Sequence, residues 1–224
     1  LPCLDDAIAS VRKSLTWTVE EMPSDADAAE GWSNPDTRTH VFVTPRQPAR
    51  RLDVLTELCH AALCEQMPRL FSCTKVWGVS LHGHTVARKY LLRAARNWFV
   101  DAAVRAHCPT DCDAALAEAA SQAAPRINTP RPFRLDRYSL GQDERQRLTD
   151  ARTLAASRHF LHHDPATTPD PTTAALADAY TATAPETPTM QGFLSLANSL
   201  CAALGRRPFT PLPRKGYWMV SESS

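Results

Sequence analysis

The chain has 224 residues, enough for one large domain or two small ones, and it holds no apolar run of about eighteen residues such as a membrane-spanning helix needs. Hydrophobic residues make up 43% and charged residues 22%, ordinary for a globular chain, whereas 18 prolines against 7 glycines is unusual. A formal net charge of +1 argues against a protein whose main business is coating nucleic acid.

The charge is uneven along the chain. Residues 1–34 hold seven acids and two bases, residues 35–110 five acids and eleven bases, and the remainder twelve of each. An acidic arm and a basic centre result. The seven cysteines fit no disulfide framework and several fall on apolar helix faces, so a reducing compartment is favoured. The chain begins at Leu1 with no basic, Ser-rich leader, which is read either as a removed mitochondrial presequence or as a trimmed chain.

In chain order, Leu4 to about Leu15 predicts a first helix, with Leu4, Ile8, Val11 and Leu15 on one side. Pro23 then ends whatever continues through Trp17 to Met22, and Ser24 to Thr39 reads as an irregular acidic loop anchored by Trp32. His40 to Thr44 is β-like, with Thr74 to Leu81 as its partner in a minor two-stranded ribbon.

Two amphipathic helices dominate the centre. Arg50 to Met67 repeats Leu52, Leu55, Cys59, Ala62, Leu63 and Met67 at three- and four-residue steps, and Pro68 ends it. Thr85 to His107 repeats Ala87, Leu91, Ala94, Ala95, Trp98 and Ala102. Its back is basic, with Arg88, Lys89, Arg93, Arg96 and Arg105. Two such stripes joined by a short connection are expected to pack as an antiparallel pair forming the core.

Thr110 or Asp111 caps an Ala-rich helix expected to stop at Pro125, and Arg126 to Tyr138 reads as an extended arm. Ser139 and Gln142 have capping-box spacing before a helix over Gln142 to His162. Asp170 caps a helix opening at Pro171, and Met190 to Leu204 forms the last stripe, closed by Gly205. The tail Pro208 to Ser224 carries Phe209, Tyr217 and Trp218, which are expected to dock on this chain or a neighbour.

Residues 169–208 carry Pro169-Asp170-Pro171-Thr172-Thr173, Leu176, Asp178-Ala179-Tyr180, then Met190, Phe193, Leu194, Leu200, Gly205 and Pro208. This stretch resembles a single pentatricopeptide-type helical hairpin. The resemblance implies helical-hairpin architecture; that family reads single-stranded RNA along stacked repeats, and no second copy at a fixed period accompanies this one.

Thr56-Glu57-Leu58-Cys59-His60 resembles the HExxH motif of zinc peptidases with its first histidine replaced by threonine. In the intact motif two histidines one turn apart hold zinc and the glutamate acts as base, so the replacement removes a ligand. His82-Gly83-His84 downstream would supply further ligands. Three pairs one turn apart, His60 with Cys64, Cys108 with Cys112 and His159 with His163, are weaker metal candidates, read first as core thiols and surface or capping histidines. Ser80 near His82 and Cys59 beside His60 are adjacent in sequence only, and no Gly-rich phosphate loop or nucleophile elbow occurs.

The expectation is a mainly α protein of helical hairpins in an irregular bundle, with long Pro-rich connections. It divides as residues 1–48, an acidic helix and extended arm; 49–164, a central helical domain; 165–207, a helical hairpin; and 208–224, an extended aromatic tail. With no intact catalytic constellation, no catalytic, metal or cofactor-binding residue is assigned. The chain is read as a noncatalytic accessory subunit of a large multiprotein assembly, such as a mitochondrial respiratory complex or ATP synthase, whose partners are other protein subunits. Peripheral contact with anionic lipid or RNA through Arg88, Lys89, Arg93 and Arg96 is the further partner expectation. The rival readings are an RNA-binding or ribosomal helical-repeat protein and a degenerate zinc-peptidase-like domain.

Overall fold

A computed structural model describes residues 3–24, 29–45, 50–72, 75–76, 82–129, 140–166, 168–206, 208–214 and 217–222. The fold is mainly α with minor β. Eight helices are interleaved with two three-stranded sheets among the described residues. The chain divides into two compact units, one from residues 1–73 with 100–112, the other from 74–99 with 113–224.

The first unit opens with helix α1 (Leu4–Ser14), which buries Ala7, Ile8 and Val11 at helical spacing. Strands β1 (Thr18–Ser24), β2 (Glu30–Asn34) and β3 (Thr39–Pro45) form a sheet in the order β1-β3-β2, with β1 parallel and β2 antiparallel to β3. Two expectations are corrected here. The stretch Trp17 to Met22 does not continue a helix, because Leu15, Trp17 and Val19 alternate at a period of two and β3 pairs with the chain from Thr18 onward. Trp32 anchors no irregular loop either: it lies in β2 opposite Val41, where a tight turn with Arg38 at φ 52° folds β2 back onto β3.

Helix α2 (Arg51–Gln66) follows, burying Leu55, Leu58, Cys59, Ala61, Leu63 and Cys64, and a short α3 (Pro68–Phe71) begins at the proline expected to end it. Helix α2 packs on α1 and against β2. Near its C-terminal end Glu65 ties three parts of the unit together. Its carboxylate accepts from the Thr16 N–H at 2.8 Å, the Thr16 hydroxyl at 2.6 Å, the Trp17 N–H at 2.8 Å and His40 Nε2 at 3.0 Å. With Nε2 carrying the proton, His40 Nδ1 accepts from the Ser33 hydroxyl at 2.7 Å, and the fully buried ring stacks on Trp17 at 5.0 Å.

The second unit contains residues 82–99 of α4 (His82–His107), most of α5 (Pro109–Ile127), then α6 (Leu140–Phe160), α7 (Pro171–Thr181) and α8 (Met190–Ala203). The centre of the chain is therefore not one antiparallel pair taken as a single core: α2 belongs to the first unit and most of α4 to the second. Trp98 lies at the middle of the second core, with Tyr180 at 5.4 Å and Phe160 at 5.9 Å between ring centroids, and its indole N–H donates to the Thr183 carbonyl at 2.8 Å.

Helix α5 runs through Pro125 to Ile127 instead of stopping before the proline. Only one backbone donor is lost near the end of the helix, the Asn128 N–H still reaches the Ala124 carbonyl at 3.1 Å, and burial of Ile127 rewards the extra turn. Most of the extended arm expected over Arg126 to Tyr138 lies outside the described residues.

Asp170 caps α7 as expected, accepting from the Thr173 N–H at 3.1 Å, and also forms a buried ion pair with Arg147 of α6 at 2.9 Å. Gly205, at φ 63°, turns the chain out of α8 and leaves the Arg206 N–H bonded to the Cys201 carbonyl at 2.8 Å. The tail is no isolated arm. Strands β5 (Phe209–Arg214) and β6 (Tyr217–Glu222) pair antiparallel, and β4 (Lys75–Val76) adds to β6 in parallel. The partner expected for His40 to Thr44 thus belongs to the second sheet. Phe209 is buried in its own fold, and Asn198 bonds both its N–H, at 2.7 Å, and its carbonyl, at 3.3 Å. The side chains of Tyr217 and Trp218 lie outside the described residues.

Two measurements check these contacts. Partial burial raises the Glu65 pKa, but the hydrogen bonds from Thr16, Trp17 and His40 outweigh it and hold it below the ordinary 4.5. A folded pKa below the unfolded one means that this stabilisation is complete above about pH 4.5 and is lost as pH falls through the folded value. In denaturant titrations Glu65→Ala is expected to destabilise the first unit by about 2 kcal/mol at neutral pH, with the difference from wild type narrowing on acidification. Arg147→Ala strands a buried carboxylate and is expected to cost about 3–5 kcal/mol in urea unfolding, and the double variant Arg147→Ala, Asp170→Ala is expected to cost less than the two single changes summed.

Candidate functional site

The degenerate zinc-peptidase motif lies on α2. Thr56, at the position of the missing ligand, turns its hydroxyl onto its own helix and donates to the Leu52 carbonyl at 2.9 Å. The His60 ring packs edge-on against Phe71 at 5.9 Å. Glu57 faces β2 so closely that a Cβ on Gly31 would stand 3.0 Å from its Oε2 and 3.3 Å from Phe42 Cδ1, so glycine is what lets the strand approach the carboxylate. Burial, with Cys112 adding to it, pushes the Cys59 thiol up to about 12, which keeps it protonated and unreactive. The side chains of His82 and His84, like Ser80, lie outside the described residues.

The other one-turn pairs are engaged in packing and capping. Cys64 is buried, and Cys108 donates to the Asp111 carboxylate at 2.7 Å, burial and that carboxylate raising its pKa. His159 bonds Glu186 at 2.7 Å and packs on Trp98 and Phe160, while His163 is exposed. Among the described residues no three His, Cys, Asp or Glu side chains converge as a metal site, and the described cysteines are free thiols.

One constellation was not foreseen. Ser33, His40 and Glu65 have the composition of a nucleophile relay, but the imidazole has no exposed surface, Ser33 is buried, and Glu65 is occupied by two backbone N–H groups. A substrate carbonyl has no approach to that hydroxyl, so the arrangement fastens the fold. No sequence signal marks it, since the three residues come from two strands and a helix at irregular spacing.

The outer face of the first sheet is the more informative surface. Cross-strand register places Glu20, Val41 and Trp32 in one row and Met22, Val43 and Glu30 in the next, all on one face. The opposite face presents His40 and Gly31 to α2. Trp32 remains 43% exposed and Met22 49%, the large hydrophobic side chains most open to water among the described residues.

The basic stripe read on α4 is described in part. Lys89 and Arg93 are exposed, Arg96 is half-buried and turns back to the Leu92 carbonyl at 3.4 Å, and the side chain of Arg88 lies outside the described residues. Arg93 instead lines a cleft with Tyr90 and two arginines of α6. Among the described residues no helix is long and apolar enough to cross a membrane. Set against known protein families, curated proteins and solved structures, the chain matches none of them.

Proposed function

We propose that the chain is a noncatalytic accessory subunit held within a large multiprotein assembly, with a mitochondrial respiratory complex or the ATP synthase as the assembly to test first. The observation that carries this reading is that Trp32 and Met22, on the two outer strands, stay exposed on the same face of the first sheet, with buried Val41 and half-buried Val43 on the middle strand between them. An exposed tryptophan is the residue type of an interface anchor, and a second large apolar side chain open to water on the same face adds to that signal. The flanking Glu20 and Glu30 give that face an acidic, polar rim, as protein interfaces have. The test is native size in cell extracts of the source organism. Wild type is expected to migrate with a high-mass species and to fractionate with mitochondria, and the double variant Met22→Glu, Trp32→Glu to fold with an unchanged circular-dichroism melt but migrate at its own 24.7 kDa. Wild type migrating as a 24.7 kDa monomer would remove the reading.

A second reading, a degenerate zinc-peptidase-like domain, is supported by Glu57 lying against the Gly31 backbone of the edge strand β2 with His60 one turn further along α2. Restoring the missing ligand tests it: Thr56→His places two imidazoles one turn apart, and the variant is expected to bind zinc in the micromolar range where wild type does not. Equal zinc binding by the two proteins, measured by calorimetry, would count against this descent.

A further inference from the structure

The first sheet is covered unevenly. Helix α2 packs against it from the side that presents His40 and Gly31, and the other face carries two cross-strand rows, Glu20, Val41 and Trp32 in one and Met22, Val43 and Glu30 in the next. Neighbouring strands lie about 4.8 Å apart and residues two positions apart on one strand about 6.7 Å, so each diagonal of this patch spans roughly 12 Å. One diagonal joins Trp32 to Met22, and the other joins Glu20 to Glu30.

Both diagonals end in side chains exposed to water. Neither Glu20 nor Glu30 forms a side-chain hydrogen bond or an ion pair among the described residues, whereas nearby Glu21 is held by Arg12 of α1 and Asp5 by Arg51 of α2. The acids beside the apolar pair are thus uncompensated within the described fold. At roughly 12 Å they stand farther apart than the screening length of about 8 Å at physiological ionic strength, so each calls for its own cation. The edges of the sheet suit a partner less well than this face. Pro23 removes a backbone donor from the outer strand β1, which discourages an added strand, and α2 packs against β2 on the other side.

We infer that this face docks a basic amphipathic helix of another polypeptide, its apolar stripe lying along the Trp32 to Met22 diagonal and a Lys or Arg on each border reaching Glu20 on one side and Glu30 on the other. This rests on the accessory-subunit reading and names the partner's chemistry at the same face. Roughly 12 Å is about eight residues of helix at about 1.5 Å each, so side chains two turns apart on one stripe meet Trp32 and Met22. A helix satisfies its own backbone groups and presents one apolar stripe, which is how a second layer covers a sheet face. Long cationic side chains on the borders of that stripe lie along the apolar surface and end at the carboxylates. The two acids repel the phosphates of nucleic acid and of anionic lipid, which selects a polypeptide over either.

The experiment is fluorescence anisotropy of a labelled synthetic helix of about twenty residues, with Leu along one stripe and Lys on both borders, titrated with the full chain at physiological salt. Saturable binding is expected, weakened about tenfold by Glu20→Lys with Glu30→Lys. Glu30→Lys alone is expected to weaken it more than Glu118→Lys, the same charge change at an exposed position of the second unit. A peptide with Glu in place of Lys is expected not to bind. No saturable binding of the Lys peptide, equal affinity in the double variant, or equal binding of the Glu peptide overturns the inference. Phosphatidylserine vesicles bound in preference to the Lys peptide overturn it as well and favour a membrane surface. Native size in cell extracts separates the two readings. If wild type migrates in a high-mass species and the double variant stays there, the basic-helix inference fails while the accessory-subunit reading stands; a monomeric wild type removes both.

Discussion

The first unit depends on one carboxylate. Glu65 comes from the end of α2, yet its partners are the backbone where α1 hands over to β1 and the imidazole of the middle strand. The chain leaves a helix at Ser14 and enters a strand at Thr18, which leaves the N–H groups of Thr16 and Trp17 without partners in either element. The carboxylate supplies the missing acceptor and, through His40 and Ser33, fixes β3 against β2. Burial of the His40 ring is tolerated because both its nitrogens are satisfied and Trp17 covers its face.

The second unit solves the same problem with a buried ion pair and an aromatic centre. Asp170 serves at once as the cap of α7 and the partner of Arg147, so the start of one helix is set by the side of another. Asn198 does for the tail what Glu65 does for the α1–β1 junction, lending a side-chain amide as a strand partner for Phe209. On the outside, the first sheet keeps Trp32 and Met22 exposed between Glu20 and Glu30, and the second unit has an arginine-lined cleft between α4 and α6.

Local chemistry is legible where a single residue sets the backbone. Asp170 with Pro171 and Gly205 could be placed at their helix ends from sequence, because a carboxylate cap, a proline in a first turn and a glycine at positive φ each act within a few residues. The helical stripes of α2, α4, α6 and α8 were legible for the same reason. Strands were harder. Trp17 to Met22 has a two-residue rhythm too short to outweigh the helix before it, and Glu30 to Asn34 has almost no apolar pattern; both become strands only because β3 lies between them. Pro125 misled in the opposite sense, since its cost is small once the following turn buries Ile127.

The candidate surfaces divide along the same line. By itself the sequence determined the mainly helical class, the punctuation of the helices, the exposed-aromatic question posed by Trp32 and the loss of the first histidine from the zinc-peptidase-like stretch, all of which depend on residue type and short spacing. Only the tertiary structure decided that Phe209 is covered by its own chain, that Arg93 lines a cleft with Arg145 and Arg152, and that Ser33, His40 and Glu65 form a buried fastening. Those groupings join residues dozens of positions apart, and spacing along a chain carries no information about which helix faces or strand rows will meet in space.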